Sequence, residues 1–245
     1  MGKKTDHHLF YCGSPNGETL TLSRQETRHA RAVLRMEIGD DISVTDGKGH
    51  IFRCRLCNFT GGEAEALIIE KHHYPPPAPP IHILLGLPEK SSFETALKGL
   101  TALGVAAITP TACEYCQKNW WDKRWERHRE RFSRTIIAAA KQSLNPYIPE
   151  LQDPEPFFDT VAQRENGRLF YADEQGAGLR AACAGISRTE DPVACLIGPP
   201  GGFSPEEISV LKQKNASGLR LAQSRLRTEL AAVVMTGCLI QELQL

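Results

Sequence analysis

The sequence predicts an α/β protein of two parts, a small β-rich module followed by a larger domain on a parallel sheet covered on both faces. Three observations lead there. From residue 81 onward, strand-like apolar runs alternate with amphipathic stretches, the pattern of parallel strands joined by crossover helices. Up to residue 74, short alternating segments are separated by Gly, Asp and Asn, the pattern of strands and turns. Between them lies YPPPAPP, residues 74–80, whose prolines withhold backbone donors and hold the chain extended as a semi-rigid spacer. The chain therefore divides into domains at 1–74 and 81–245.

In the first module HLFYCG, DISVTDGKGHIFRCRL and EALIIEKH supply strands, and one helix near residues 24–35 interrupts them. In the second the order is IHILL, a helix at 92–103, VAAITP, a long helix at about 122–143, RLFYA, a short helix near 177–184, VACLIG, a helix at 205–214, GLRLA, and a last helix from about 228. Two helix starts are explicit. Ser91 with Glu94, and Ser204 with Glu207, have capping-box spacing, and Pro205 stands at a first helical position, where its missing N–H costs nothing.

Composition narrows the function. At 245 residues, with 41% hydrophobic and 24% charged residues, the chain has material for a real core and is neither disordered nor fibrous. No apolar run reaches the roughly 18 residues of a membrane span. The start MGKKTDHHLF lacks the apolar centre of a secretory signal, so a cytoplasmic protein with no membrane partner is expected. The balance of 29 basic and 29 acidic residues removes a globally basic nucleic-acid binder and leaves only local patches. Of eight cysteines, Cys54/Cys57 and Cys113/Cys116 have the spacing of zinc-ligand pairs. Cys54 and Cys57 fall on a strand, however, where residues three apart face opposite sides. Cys12, Cys183, Cys195 and Cys238 sit among apolar neighbours. Reduced thiols and no metal are expected.

The segment VACLIGPPGGFSPEEI carries the clearest chemical signal. A buried strand runs into Gly198, Pro199, Pro200, Gly201 and Gly202 and then into a capped helix, so a glycine-rich loop lies at the carboxyl end of a parallel strand, where such sheets bind ligands. It has neither the Lys-Ser/Thr sequel of a phosphate loop nor the spacing of a dinucleotide fingerprint. A second segment, GLRLAQSRLRTELAAVVMTGCLIQELQL, sends a strand at 218–222 into Gln223, Ser224, Arg225, Leu226, Arg227, Thr228 and Glu229, then into an apolar helix. Two loops at the same end of adjacent strands make one cleft.

These two segments together resemble the SPOUT methyltransferases, specifically the RsmE-type family that methylates N3 of a uridine in 16S ribosomal RNA. HARAVLRMEIGDDISVTDGKGH is similar to that family's PUA-like amino-terminal domain, LTALGVAAITP to its first α/β unit, AAAKQSLNPYIPEL to its middle helix and following strand, and LFYADE to the strand before the knot. The resemblance implies a trefoil-knotted SPOUT domain behind a PUA-like β-barrel, with S-adenosylmethionine as cofactor. Its binding residues would be Leu196, Ile197, Gly198, Pro199, Gly201, Gly202, Leu221, Ser224, Leu226 and Thr228. Arg227 would stabilise charge on the uracil carbonyl oxygens, and Glu229 would orient Arg227 or the cofactor. The chain departs from the usual pattern at Ala102, Lys141 and Pro200, where acidic residues are usual, and at Asn145, Gln223 and Leu230, which replace Arg, Gly and Thr. A SPOUT-fold ribosome-assembly protein without catalysis is the alternative.

Ribosomal RNA as partner requires phosphate contacts. Arg24, Arg28, Arg31 and Arg35 recur at intervals of four, three and four, which sets all four on one face of the expected helix. The basic stretch KRWERHRERFSR reads as a solvated face laced with ion pairs, and Trp121 and Trp125 as packing residues rather than base-stacking ones. His7/His8 and His72/His73 lack a third ligand at readable spacing. The last helix is apolar around most of its circumference, with Leu230, Val233, Val234, Met235, Cys238, Leu239, Ile240 and Leu243, so cover from a second copy, a homodimer, is expected.

Overall fold

The computed structural model describes residues 8–13, 15, 17–117, 121–164, 168–178, 180 and 192–243. The chain forms two compact units, one of residues 1–76 with 137–148, the other of residues 77–136 with 149–245. Cys183, Trp120, His7 and most of the short helix expected near 177–184 lie outside the described residues.

The first unit is a five-stranded sheet in the order β1-β3-β4-β5-β2, from β1 (Leu9–Tyr11), β2 (Thr19–Leu22), β3 (Asp41–Thr45), β4 (His50–Thr60) and β5 (Glu63–His73). β1 joins β3 in parallel, and the other pairings are antiparallel. Alternation sends Phe10, Leu20, Leu22, Ile42, Val44, Phe52, Cys54 and Leu56 into one core. Cys54 is buried and Cys57 exposed, as strand geometry requires, and burial pushes the Cys54 thiol up to about 12.

The helix expected at 24–35 is shorter and irregular. α1 (Arg24–Arg28), capped by Ser23 Oγ accepting from Glu26 N, passes into a π-helical turn, His29–Val33. Arg35 then adopts φ 55°, outside the helix. The wider i→i+5 turn and this exit break the regular α-helical stripe on which one shared face depended. The last turn of a long helix and the segment behind it, 137–148, cluster with this unit. Lys141 there pairs with the buried Glu26 at 2.6 Å, and Thr45 Oγ1 donates to Pro146 O at 3.1 Å.

The second unit carries a seven-stranded sheet. Its elements are β6 (Ile81–Gly86), α2 (Lys90–Ala102), β7 (Ala107–Ala112), α3 (Trp125–Gln142), β8 (Glu150–Leu151), β9 (Glu155–Pro156), α4 (Phe157–Ala162), β10 (Leu169–Ala177), β11 (Val193–Ile197), α5 (Pro205–Gln213), β12 (Ser217–Leu219) and α6 (Thr228–Leu243). The order is β12-β10-β11-β6-β7-β8, with β9 also on β7, and every pairing is parallel. Strands covered on both faces read as unbroken apolar runs. Ile83, Leu84, Leu85, Cys195 and Leu196 accordingly have 0% exposure.

α6 packs on α2, β6 and β11, with Val233 so close to Gly99 that an added Cβ there would come within 2.5 Å of it. The expected cap at Ser91 is not used. α2 begins earlier, with Glu89 at its N-cap, and Glu94 instead binds Arg131 at 2.9 Å. Trp121 and Trp125 are buried, and Trp125 packs edge-on against Phe93. The charged face of α3 is laced by Arg129–Asp153 and Arg134–Glu130 pairs. Among the described residues no helix is long and apolar enough to cross a membrane, and no three His, Cys, Asp or Glu side chains are grouped to hold a metal ion.

Candidate active site

The site begins where β11 ends. Gly198 to Gly202 turn sharply, with Gly202 N donating to Pro199 O at 2.8 Å. Gly202 sits at φ +77° with open space around it, so backbone conformation is what demands glycine there. The turn leads into the capping box of α5. Ser204 N donates to Glu207 Oε2 at 2.8 Å, and Glu207 N donates to Ser204 Oγ at 3.3 Å. Glu207 is 1% exposed, and its other oxygen accepts from Glu114 N at 2.9 Å. One buried carboxylate thus ties the start of α5 to the loop after β7. In that loop Cys116 N donates to Cys113 O at 3.2 Å, and Cys113 N to Cys116 Sγ at 3.3 Å. The adjacent Cys116 sulfur and burial push the Cys113 thiol up.

The second loop meets the first. β12 runs beside β10 so closely that a Cβ on Gly176 would lie 2.5 Å from Gly218. Beyond it, Arg225 Nη2 donates to Pro200 O at 2.7 Å and Arg225 Nε pairs with Glu174 at 3.6 Å. Thr228 Oγ1, at the start of α6, donates to Gly198 O at 3.0 Å. Between the loops lies a cavity of about 520 Å³, within the range of small-molecule sites.

Of the cofactor residues expected from sequence, Ile197, Gly198, Pro199, Gly202, Leu221, Ser224, Leu226 and Thr228 line this cavity, as do Arg227 and Glu229. Leu196 and Gly201 are not among the lining residues. Leu196 is sealed within the sheet, and a Cβ on Gly201 would strike Tyr115 Cβ at 2.6 Å, so a substitution there acts through the neighbouring loop rather than by filling the cavity. Arg227 is exposed and Glu229 half-buried. The bonds and ion pairs found among the described residues do not join them. Burial, then Asp173, push the Tyr171 phenol up beside the same wall.

Sequence reasoning missed Glu89, Ser92, Gln117, Asp173 and Glu174, which also line the cavity. Glu89, Ser92 and Gln117 follow β6 and β7, and only the strand order reveals that those ends meet the glycine loop. In the first unit Arg24, Arg28, Arg31 and Arg35 are all exposed, and the Arg31 guanidinium lies 5.0 Å from the Phe59 ring centroid, a cation–π distance.

Residues 75–240 match the model of the RNA methyltransferase domain, and residues 22–70 that of the RNA methyltransferase PUA domain. The chain belongs to the RNA methyltransferase family. Curated relatives of this methyltransferase are named ribosomal RNA small subunit methyltransferase E. The one from Mycobacterium bovis is 28% identical, over 94% of this chain and 89% of that protein. The one from Aquifex aeolicus is 26% identical, over 95% and 99%. Among solved structures, a Legionella pneumophila methyltransferase with bound SAM is 26% identical with a TM-score of 0.83, covering 98% of both chains. The Neisseria gonorrhoeae methyltransferase E bound to S-adenosyl methionine, at 21% identity, shares the fold with a TM-score of 0.82, over 96% of this chain and 97% of that one. The methyltransferase is thus of the RsmE type, a divergent member with the SPOUT fold and a PUA domain.

Proposed function

We propose that this methyltransferase uses S-adenosylmethionine to methylate N3 of a uridine in 16S ribosomal RNA. The observation that carries the reading is the cavity between the Gly198–Gly202 and Gln223–Thr228 loops, at the carboxyl ends of parallel strands. Its chemistry suits the cofactor: apolar Ile197, Leu219, Leu221 and Leu226 line it beside the glycine loop, matching an adenosine that needs an apolar slot and backbone partners. Ile197, Gly198, Pro199, Gly202, Leu221, Ser224, Leu226 and Thr228 would hold it. When bound, the cofactor supplies an electrophilic methyl group on a sulfonium.

The protein's task is then orientation and charge. Arg227, exposed at the cavity, meets the charge that develops on the uracil carbonyl oxygens when N3 loses its proton. Glu229, in the first turn of α6, orients Arg227 or the cofactor. The exposed Arg24, Arg28, Arg31 and Arg35 of the 1–74 domain contact RNA phosphates, and the 81–245 domain performs the transfer. The molecule acts as a homodimer covering the outer face of α6. Calorimetry with S-adenosylmethionine, followed by transfer of labelled methyl to small-subunit RNA, tests the reading. Binding and transfer are expected; binding with no transfer would favour an assembly protein without catalysis.

A further inference from the structure

Three of the cavity's polar side chains, all from the β6 and β7 side, take no part in holding the cofactor or in the steps given to Arg227 and Glu229. Glu89 occupies the N-cap of α2, at φ −58° and ψ 151°, but its side chain makes no capping bond. Ser92 lies in the first turn of the same helix, and Gln117 in the loop after β7. Among the described residues no hydrogen bond or ion pair occupies any of the three side chains; only the Gln117 backbone carbonyl is taken, by Trp121 Nε1 at 2.9 Å. The other cavity acids are committed. Asp173 accepts from Gln175 N at 2.9 Å, Glu174 pairs with Arg225, and Glu229 is the residue assigned above to orient Arg227 or the cofactor.

We propose that Glu89, Ser92 and Gln117 form the wall that recognises the uracil base, with Glu89 the acceptor of its N3 proton; the proposal rests on the uridine reading above. The imide edge of uracil presents a carbonyl acceptor, an N–H donor and a second carbonyl acceptor. The wall offers the complement: one carboxylate acceptor, a hydroxyl donor and an amide donor. Cytosine carries no proton at N3 and would set that nitrogen's lone pair against the carboxylate, which selects against it.

In the first step the N3–H bond breaks with its electron pair left on N3, and the proton passes to a Glu89 carboxylate oxygen. The resulting charge spreads to O2 and O4, where the Ser92 and Gln117 donors meet it alongside the Arg227 guanidinium. N3 then bonds to the methyl carbon as the carbon–sulfur bond breaks with its pair returning to sulfur, and the Glu89 proton leaves to water. The proton and the incoming methyl occupy the same direction from N3, so the acceptor must withdraw between the two events. An exposed, unanchored glutamate is free to do so.

The test uses the full chain with Glu89→Gln, Glu89→Asp and Gln117→Ala, measured on 16S ribosomal RNA from cells lacking the gene. Glu89→Gln should slow transfer about 10²–10⁴-fold at neutral pH with cofactor affinity by calorimetry unchanged. The deficit should shrink about tenfold per pH unit as hydroxide takes over the proton, and Glu89→Asp should restore part of the rate. Fluorescence anisotropy with uridine- and cytidine-containing oligonucleotides should show the uridine preference lost in both Glu89→Gln and Gln117→Ala. A Glu89→Gln enzyme with the wild-type rate, or a deficit that does not change with pH, would overturn the proposal while leaving the uridine reading intact. A wild-type enzyme that forms no N3-methyluridine would overturn both.

Discussion

Gly202 is the residue where the backbone leaves least choice. At φ +77° with nothing within 4 Å of a built Cβ, any cost of substitution there comes from conformation and not from a clash. A left-handed non-glycine residue costs about 1–2 kcal/mol, so Gly202→Ala should weaken S-adenosylmethionine binding roughly 5–30-fold, as calorimetry would read. Gly201 differs, because its missing side chain makes room for Tyr115. Both glycines stand in one motif and the sequence could not separate their reasons. Nor could it show what the departures from the family pattern do. The Pro200 carbonyl accepts from Arg225, Asn145 Oδ1 accepts from Tyr147 N at 2.9 Å, and Lys141 meets Glu26. Ala102, Gln223 and Leu230 are exposed, and nothing in the structure explains their identities.

At the scale of elements, the Lys141–Glu26 pair joins the end of α3 to α1, with Glu26 only 6% exposed. Lys141→Met would leave a buried carboxylate unpaired, a loss of about 3–5 kcal/mol; thermal unfolding should show it, and Glu26→Gln in the same chain should return most of it. The arginines of α1 and its π-turn make a different prediction. Replacing any two of Arg24, Arg28, Arg31 and Arg35 by Gln should weaken RNA binding and lower the salt slope by roughly 0.7–0.9 for each phosphate that is no longer neutralised, with cofactor affinity unchanged in a titration. Periodicity made α2, α3, α5 and α6 legible, and the Ser204–Glu207 capping box stands where its spacing put it. The π-turn was not legible, because a helix that widens keeps the same composition as one that does not. β2 is a four-residue strand, TLTL, too short to announce itself beside its turn. The Ser91–Glu94 spacing misled because Glu94 finds an ion-pair partner in Arg131, 37 residues on.

At the scale of the whole molecule, α6 buries Ala231, Ala232, Met235, Thr236, Leu239 and Leu243 within its own unit. Leu230 stays 49% exposed, and Val234 and Cys238, four and eight residues on, are only partly covered, a stripe one helical face wide. If a second copy covers it, light scattering at micromolar concentration should give twice 27.1 kDa, and Val234→Asp should reduce both that mass and cofactor binding. A wild-type mass near 27.1 kDa would exclude the dimer. The parallel domain and the two loops of the cleft were legible in the sequence because each loop follows its own strand and keeps its own motif. The β6 and β7 wall was not, since its residues carry no motif and reach the cleft only through the strand order. The uridine reading meets its sharpest test in the mass spectrum of nucleosides from 16S ribosomal RNA of cells with and without the gene. Deletion should remove one N3-methyluridine, and the purified enzyme with S-adenosylmethionine should restore it in vitro; an unchanged nucleoside profile, or loss of a methyl group at another position, would contradict that reading.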